Sequence, residues 1–352
     1  MNDENNVSNN YYYELPPELI AQSPKRPRDE AKMFVLHRDS GRRELKMVKD
    51  LPDYLNSGDA VVINNTKVVP TILRGNRESG GQILIRLVSR KSQSTWDCSV
   101  DGIRSLLPGE LITLADGQLL ATVVDKNQQH TGYIMTLSSY DGKEDNIDAL
   151  IQDKAMYFHP MHLFPLKKGE EDILQTVYAK HNGSFQSPSA GLHMTKELLS
   201  RLRSKGVKVV EITQHVGRLD DPKPLSDDAD NVDSLYEEWY NVSAQAAEQI
   251  NNTKKNGGKV IAIGTTVTRT LETCANEDGL VHEGCGWATL YLKPGSKFNI
   301  VDGLLSNFQS PKITTLILAC AFAGTDHVLR FYNEAVRMKL RFLEYGDAAL
   351  YI

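Results

Sequence analysis

The chain has 352 residues, 40% of them hydrophobic, and a formal net charge of −5 at pH 7. That is enough chain for one large core or two ordinary ones, and the charge excludes a globally basic nucleic-acid binder, leaving any such contact to a local patch. No apolar run reaches bilayer length, the polar start MNDENNVSNN predicts a disordered tail over 1–10 rather than a signal peptide, and four scattered cysteines without a CxxC pair predict reduced thiols in the cytoplasm.

Residues 1–58, after the tail, are predicted as the first part of an α/β domain. Between 59 and 142 short apolar runs recur: AVVI (60–63), VVPTIL (68–73), QILIRLV (82–88), TWDCSV (95–100), ELITL (110–114), QLLATVV (118–124) and YIMTL (133–137). Turn signals separate them, and Asp116-Gly117 between two β-rich runs is a hairpin cue. Seven short strands without helical pattern predict an inserted all-β, barrel-like domain, with a sandwich as the alternative.

From 143 the period changes, and 143–352 is predicted as the main α/β domain with a mixed sheet. KEDNIDALIQDKA predicts a helix. Thr195 is placed to cap a helix ending at Gly206, and VKVVEIT then predicts a buried strand. Ser243 opens another helix, ending at Gly257-Gly258 before the strand of KVIAIGTT. Two further helices, around 312–323 and 326–343, precede a last strand in YGDAALYI.

Three strand ends carry polar residues: VVINNTKV (61–68), VEITQHVG (210–217) and VIAIGTTVTRTLE (260–272). Gly264-Thr265-Thr266 would aim backbone N–H groups at an anion, although a plain helix cap reads the same way. His193, after the SPSAG turn, and His215, after a strand, are candidates for proton transfer. No GxSxG elbow, no P-loop and no complete metal-ligand spacing is present, so no metal site is expected.

In order, NNTKVVP, QTVYA, SAGLH, HVG, VIAIGTTVTRTLE, PGSKFNIVDGLLSNF, LACAFAG and YGDA together resemble the S-adenosylmethionine:tRNA ribosyltransferase-isomerase family of queuosine biosynthesis. The resemblance implies a barrel inserted into an α/β domain. It implies transfer of the ribosyl part of S-adenosylmethionine to a 7-aminomethyl-7-deazaguanine base in tRNA, giving epoxyqueuosine-tRNA with release of adenine and methionine. It implies no cofactor, S-adenosylmethionine being consumed, and as partners that substrate and the anticodon region of tRNA. A monomer with no membrane contact is expected. In this chemistry His193 or His215 takes a proton from the carbon beside the sulfonium and the other protonates adenine. Asn64, Asn65 and Thr66 offer groups for ribose or a base edge; Thr265, Thr266 and Arg269 suit the methionine carboxylate. Ser189, Gly191, Gly217, Asn307, Tyr345 and Asp347 complete the expected substrate-binding set. His193, His215, Thr265 and Asn307 are predicted to converge on one cleft.

The chain departs from the family pattern at Ile72, over Arg218–Leu225, at Tyr236 and at Gln309, which stands where a histidine is expected. Those departures leave two other readings: a paralogue that consumes S-adenosylmethionine with a small-molecule acceptor, or a catalytically silent RNA- or nucleoside-binding protein. For RNA, the candidate contacts are KRPR (25–28), the 201–208 basic face, Trp239 and Tyr240.

Overall fold

The computed structural model describes residues 11–101, 105–127, 132–140, 146–160, 162–163, 166, 169–217 and 234–352, with backbone alone at 234–236. The predicted tail (1–10) and the Arg218–Leu225 loop lie outside the described residues, as does the Tyr236 side chain.

In chain order, β1 (Lys32–Leu36) and β2 (Arg43–Met47) pair antiparallel, then β3 (Ala60–Asn64) and the short β4 (Thr66–Val68) follow. Six strands come next: β5 (Ile72–Arg77), β6 (Gln82–Arg90), β7 (Thr95–Asp101), β8 (Leu111–Leu114), β9 (Leu119–Lys126) and β10 (Tyr133–Ser139). The return path holds α1 (Ile147–Lys154), β11 (His181–Ser184), α2 (Lys196–Ser204), β12 (Lys208–Gln214) and β13 (Ser234–Val242). The chain ends with α3 (Ala244–Lys255), β14 (Val260–Ile263), α4 (Thr265–Thr273), β15 (Gly284–Leu290), β16 (Gly303–Asn307), α5 (Thr314–Ala323), α6 (Thr325–Arg337) and β17 (Ala348–Tyr351).

Nine strands make one mixed sheet in the order β15-β13-β12-β3-β14-β16-β17-β1-β2. At its centre β12, β3, β14 and β16 run parallel. β13 and β15 extend one side antiparallel, and β17 turns the direction on the other. Helices cover both faces. Ala60 and Val62 of β3 pack in the core that holds α3 to α6, while Val61 and Ile63 pack with Leu198 and Leu202 of α2. Side chains alternate across a strand, so burial on both faces requires an unbroken apolar run.

That requirement corrects the expected assignment of AVVI (60–63) to the barrel. All five residues of β3 are buried, and β3 is a central strand of the main sheet. A short apolar run without alternation reads alike in either setting. The closed barrel has six strands, in the order β10-β7-β6-β5-β8-β9, and begins at Ile72. From Ile83 to Leu87 its β6 alternates buried and half-buried residues, with Ile83, Ile85 and Leu87 inward. Ile147 and Ile151 of α1 join that core. Asp116, at φ 55°, lies in the tight connection between antiparallel β8 and β9, where the hairpin was expected. The expected caps are present: Thr195 Oγ1 accepts from Leu198 N–H at 3.0 Å and Ser243 Oγ from Ala246 N–H at 3.2 Å, each worth about 1 kcal/mol. No helix among the described residues is long and apolar enough to cross a membrane.

Candidate active-site cleft

The four parallel strands end at Gln214, Asn64, Ile263 and Asn307. The crevice outside the carboxyl ends of such strands is where α/β sheets bind ligands, because loops and helix starts converge there. A cleft of about 2040 Å³ opens at that edge, walled on its other side by barrel residues such as Ile72, Arg86 and Trp96. Of the expected site residues, Ser189, His215, Gly217, Thr265, Thr266, Arg269, Asn307 and Tyr345 line it.

His215 follows β12 directly. Its Nδ1 lies 2.8 Å from Thr66 Oγ1, and that hydroxyl has the His181 carbonyl at 3.5 Å as an acceptor. The ring stacks on Trp239, centroids 4.9 Å apart and 21° between planes. A Cβ on Gly183 would come within 2.5 Å of His215 Nε2, so glycine keeps that ring edge clear. Burial, with a further contribution from His181, pushes the ring's pKa down to about 4. His215 is therefore neutral at pH 7.

Gly264 takes φ 101°, a conformation that favours glycine, and turns β14 into α4. The first N–H groups of α4 have no intrahelical partner. Thr265 and Thr266 bring them to the cleft, and Thr266 Oγ1 is buried without a hydrogen-bond partner among the described residues. Asn307 donates through Nδ2 to the carbonyls of Leu343 (2.8 Å) and Glu344 (3.1 Å). Two carbonyl partners fix which way the amide points. Its Oδ1 then has no partner among the described residues.

His193 lies behind this wall and is not part of the cleft lining. Its imidazole is close enough to Asn307 for the amide to favour the protonated ring, and the Arg28 main chain acts on it likewise. Burial outweighs both and lowers its pKa to about 4. Nε2 is buried and falls outside hydrogen-bonding geometry with any described residue.

Arg269 is not a free carboxylate clamp. It is ion-paired with Glu238 and donates to the carbonyls of Leu290 (3.2 Å) and Ala288 (3.0 Å). Glu238 also accepts from Gln214 Nε2 at 2.7 Å and Gly217 N–H at 3.0 Å. Both members of the pair are nearly buried. The partners are 31 residues apart in sequence, so no local pattern announced the pair.

Asn64, Asn65, Thr66, Gly191 and Asp347 stand outside the cleft lining. Asn64 joins β3 to β12, donating to the Gln214 carbonyl (2.8 Å) and accepting from its N–H (3.0 Å). Asn65 binds Glu211 (3.1 Å) and Thr213 (2.7 Å). Gly191 packs so tightly on the Tyr178 hydroxyl that no Cβ fits. Asp347 accepts from the N–H groups of Lys32 (2.9 Å) and Arg341 (2.8 Å). Ile72 and Gln309 do line the cleft. Gln309 is held by Ser306, Asn307 and Thr315.

The sequence alone did not single out Gln214, Trp96 or Trp287, which help build or line this region. The basic segments are largely committed elsewhere: Arg28 donates to the carbonyls of Gln175 and Asp172, Arg201 to that of Lys49 and Lys205 to that of Pro52. Among the described residues no group of three or more His, Cys, Asp or Glu is placed to hold a metal ion.

Over nearly its whole length the chain is similar to known proteins. The family profile described as "Queuosine biosynthesis protein" matches residues 8–351. A relative from Thermoanaerobacter sp. (strain X514), an S-adenosylmethionine:tRNA ribosyltransferase-isomerase, is 41% identical over 344 residues, covering 97% of this chain and 98% of the relative. One of the same name from Symbiobacterium thermophilum is 41% identical, covering 96% and 97%. The crystal structure of an S-adenosylmethionine tRNA ribosyltransferase from Thermotoga maritima aligns with a TM-score of 0.55 at 30% identity, covering 97% of this chain and all of that one.

Proposed function

This chain belongs to the queuosine biosynthesis protein family, and from that premise we infer that it transfers the ribosyl moiety of S-adenosylmethionine to the 7-aminomethyl-7-deazaguanine base of tRNA, giving epoxyqueuosine-tRNA, adenine and methionine. Near-complete coverage by relatives of that name carries the reading. It also weighs against the small-molecule acceptor and the silent binder. The cytoplasm, where both substrates occur, is its compartment, in keeping with four unpaired cysteines, and it acts as a monomer without a cofactor.

The positive sulfur of S-adenosylmethionine acidifies the adjoining 5′ carbon. His215 is the base that removes that proton. In the tautomer this role requires, Nδ1–H donates to Thr66 Oγ1, whose proton then faces the His181 carbonyl, and the Nε2 lone pair is left for the substrate. A neutral ring at pH 7 is the form that accepts a proton. The methionine carboxylate docks on the first N–H groups of α4 with Thr265 and Thr266, where the helix dipole favours an anion. Asn307 Oδ1, an acceptor fixed in direction, suits the amino group of the same end. Ser189, Gly217 and Tyr345 shape the remaining wall. Arg269 acts through Glu238, bracing Gly217, and does not touch the carboxylate. His193 supports Asn307 from behind.

Incubation with S-adenosylmethionine, with and without tRNA bearing the aminomethyl-deazaguanine, tests this. Mass analysis should show adenine, methionine and the modified nucleoside only when tRNA is present. Adenine release at full rate without tRNA would overturn the reading.

A further inference from the structure

The chain has 3 tryptophans, and all of them line the cleft. Trp239 is half-buried and carries His215 stacked on its ring. Trp287 lies directly opposite Trp239 across the antiparallel β13–β15 pair. Residues directly opposite in such a pair project from the same face of the sheet. Trp287 thus lies one strand further out than Trp239, on the same face, at the outermost strand of the sheet. There Trp287 remains 54% exposed. A lone exposed aromatic is ordinary on any surface. This one is held in register beside the candidate base, inside the cleft, at its rim.

We propose that Trp287 is the stacking platform for an unpaired base of the RNA, from the nucleotide adjoining the one being modified. This rests on the reading of the site given above. Chemistry on a tRNA base requires an unstacked loop, and splayed bases settle on aromatic faces. The ring next to the reacting position is Trp239, so a nucleobase in the site itself has that neighbour. Trp287 is one ring further out, where the polynucleotide leaves the cleft. Stacking rather than charge is its contribution. The cations of the facing barrel wall are already paired: Arg86 with Asp101, Arg90 with Asp148 and Lys91 with Asp97. Arg90 also lies 5.1 Å over the Trp96 ring.

Steady-state kinetics with varied tRNA and varied S-adenosylmethionine separate the cases. W287A should raise KM for tRNA about 5- to 140-fold, the range that corresponds to one lost base–aromatic stack. KM for S-adenosylmethionine should stay within twofold. W287F, which keeps a ring, should recover most of the loss and guards against a folding defect in the alanine variant. The ratio of W287A to wild-type KM should be the same at low and high salt, since no counterions are released by stacking. A KM for tRNA within twofold of wild type in W287A overturns the proposal, as does a W287F as weak as W287A. A rise confined to KM for S-adenosylmethionine also overturns it, because the ring then stacks on adenine. Failure of wild-type protein to require tRNA would instead overturn the underlying reading of the site.

Discussion

The two sides of the cleft floor are built on opposite plans. On the β3–β12 side the polar groups are tied to one another, leaving His215 Nε2 for the substrate. Asn64 and Asn65 tie β3 to β12, Thr66 holds His215, and Glu238 gathers Gln214, Gly217 and Arg269. On the β14–β16 side two cleft-lining polar atoms, Thr266 Oγ1 and Asn307 Oδ1, fall outside hydrogen-bonding geometry with any described residue. An unpaired buried polar atom costs about 1–3 kcal/mol. Folded chains keep such atoms where something other than folding selects them. The first side is a finished frame that aims a base. The second side has hydrogen bonds to offer a substrate.

The largest effect that would break this comparison is on turnover. His215→Ala should lower kcat about 10²- to 10⁴-fold, the usual share of a positioned base, while calorimetry shows the fold intact. If His193→Ala costs as much kcat with unchanged KM, the base sits on the wrong side of our division. Next comes the frame itself. Glu238→Ala removes the counter-ion from the nearly buried Arg269 charge, which should destabilise the protein by about 3–5 kcal/mol in urea unfolding. A loss under 1 kcal/mol would show that the frame is not held by that carboxylate.

Acid stability sharpens the contrast further. His193 titrates near 4 when folded, against about 6.5 unfolded. Between those values the unfolded chain binds the proton first, so stability falls as pH drops from about 6.5 to 4 and is flat above. The loss approaches about 3 kcal/mol for this buried ring. His193→Asn should reduce that slope in urea titrations at pH 7, 5.5 and 4.5, leaving the share of His215, whose pKa is lowered likewise; an unchanged slope would locate the titrating group elsewhere. The smallest effect has an unusual sign. Thr266→Val removes a hydroxyl without a partner, so stability should hold or rise by up to about 1 kcal/mol. KM for S-adenosylmethionine should rise at the same time. Destabilisation by more than 1 kcal/mol would mean the hydroxyl is paired after all.

Much of the frame is legible in the sequence because it depends on local signals. Thr195 and Ser243 cap where their positions before apolar-periodic segments place them, and Gly264 between strand and helix marks the α4 start. The barrel's short runs and turns mark five of its strands, β6 to β10, and catch only the first two residues of β5. They mislead at Ala60–Asn64, because five buried residues look alike in a barrel or a central parallel strand. The site is less legible. His215 and Thr265 could be placed in the cleft because each directly follows a strand. That Asn64 and Asn65 turn inward, that Arg269 belongs to Glu238, and that His193 lies behind Asn307 depends on pairings across 31 to 150 residues. No periodicity encodes such partners.

One connection has a mechanical consequence. The chain leaves the sheet for the barrel through β4 and returns through β11, and these two segments are zipped in parallel, Thr66 opposite His181. A two-stranded ribbon is thus one of the connections between sheet and barrel. The first residue of that ribbon, Thr66, carries the hydroxyl that grips Nδ1 of His215. The strand that carries the chain into the barrel thus also fixes the heading of a single imidazole.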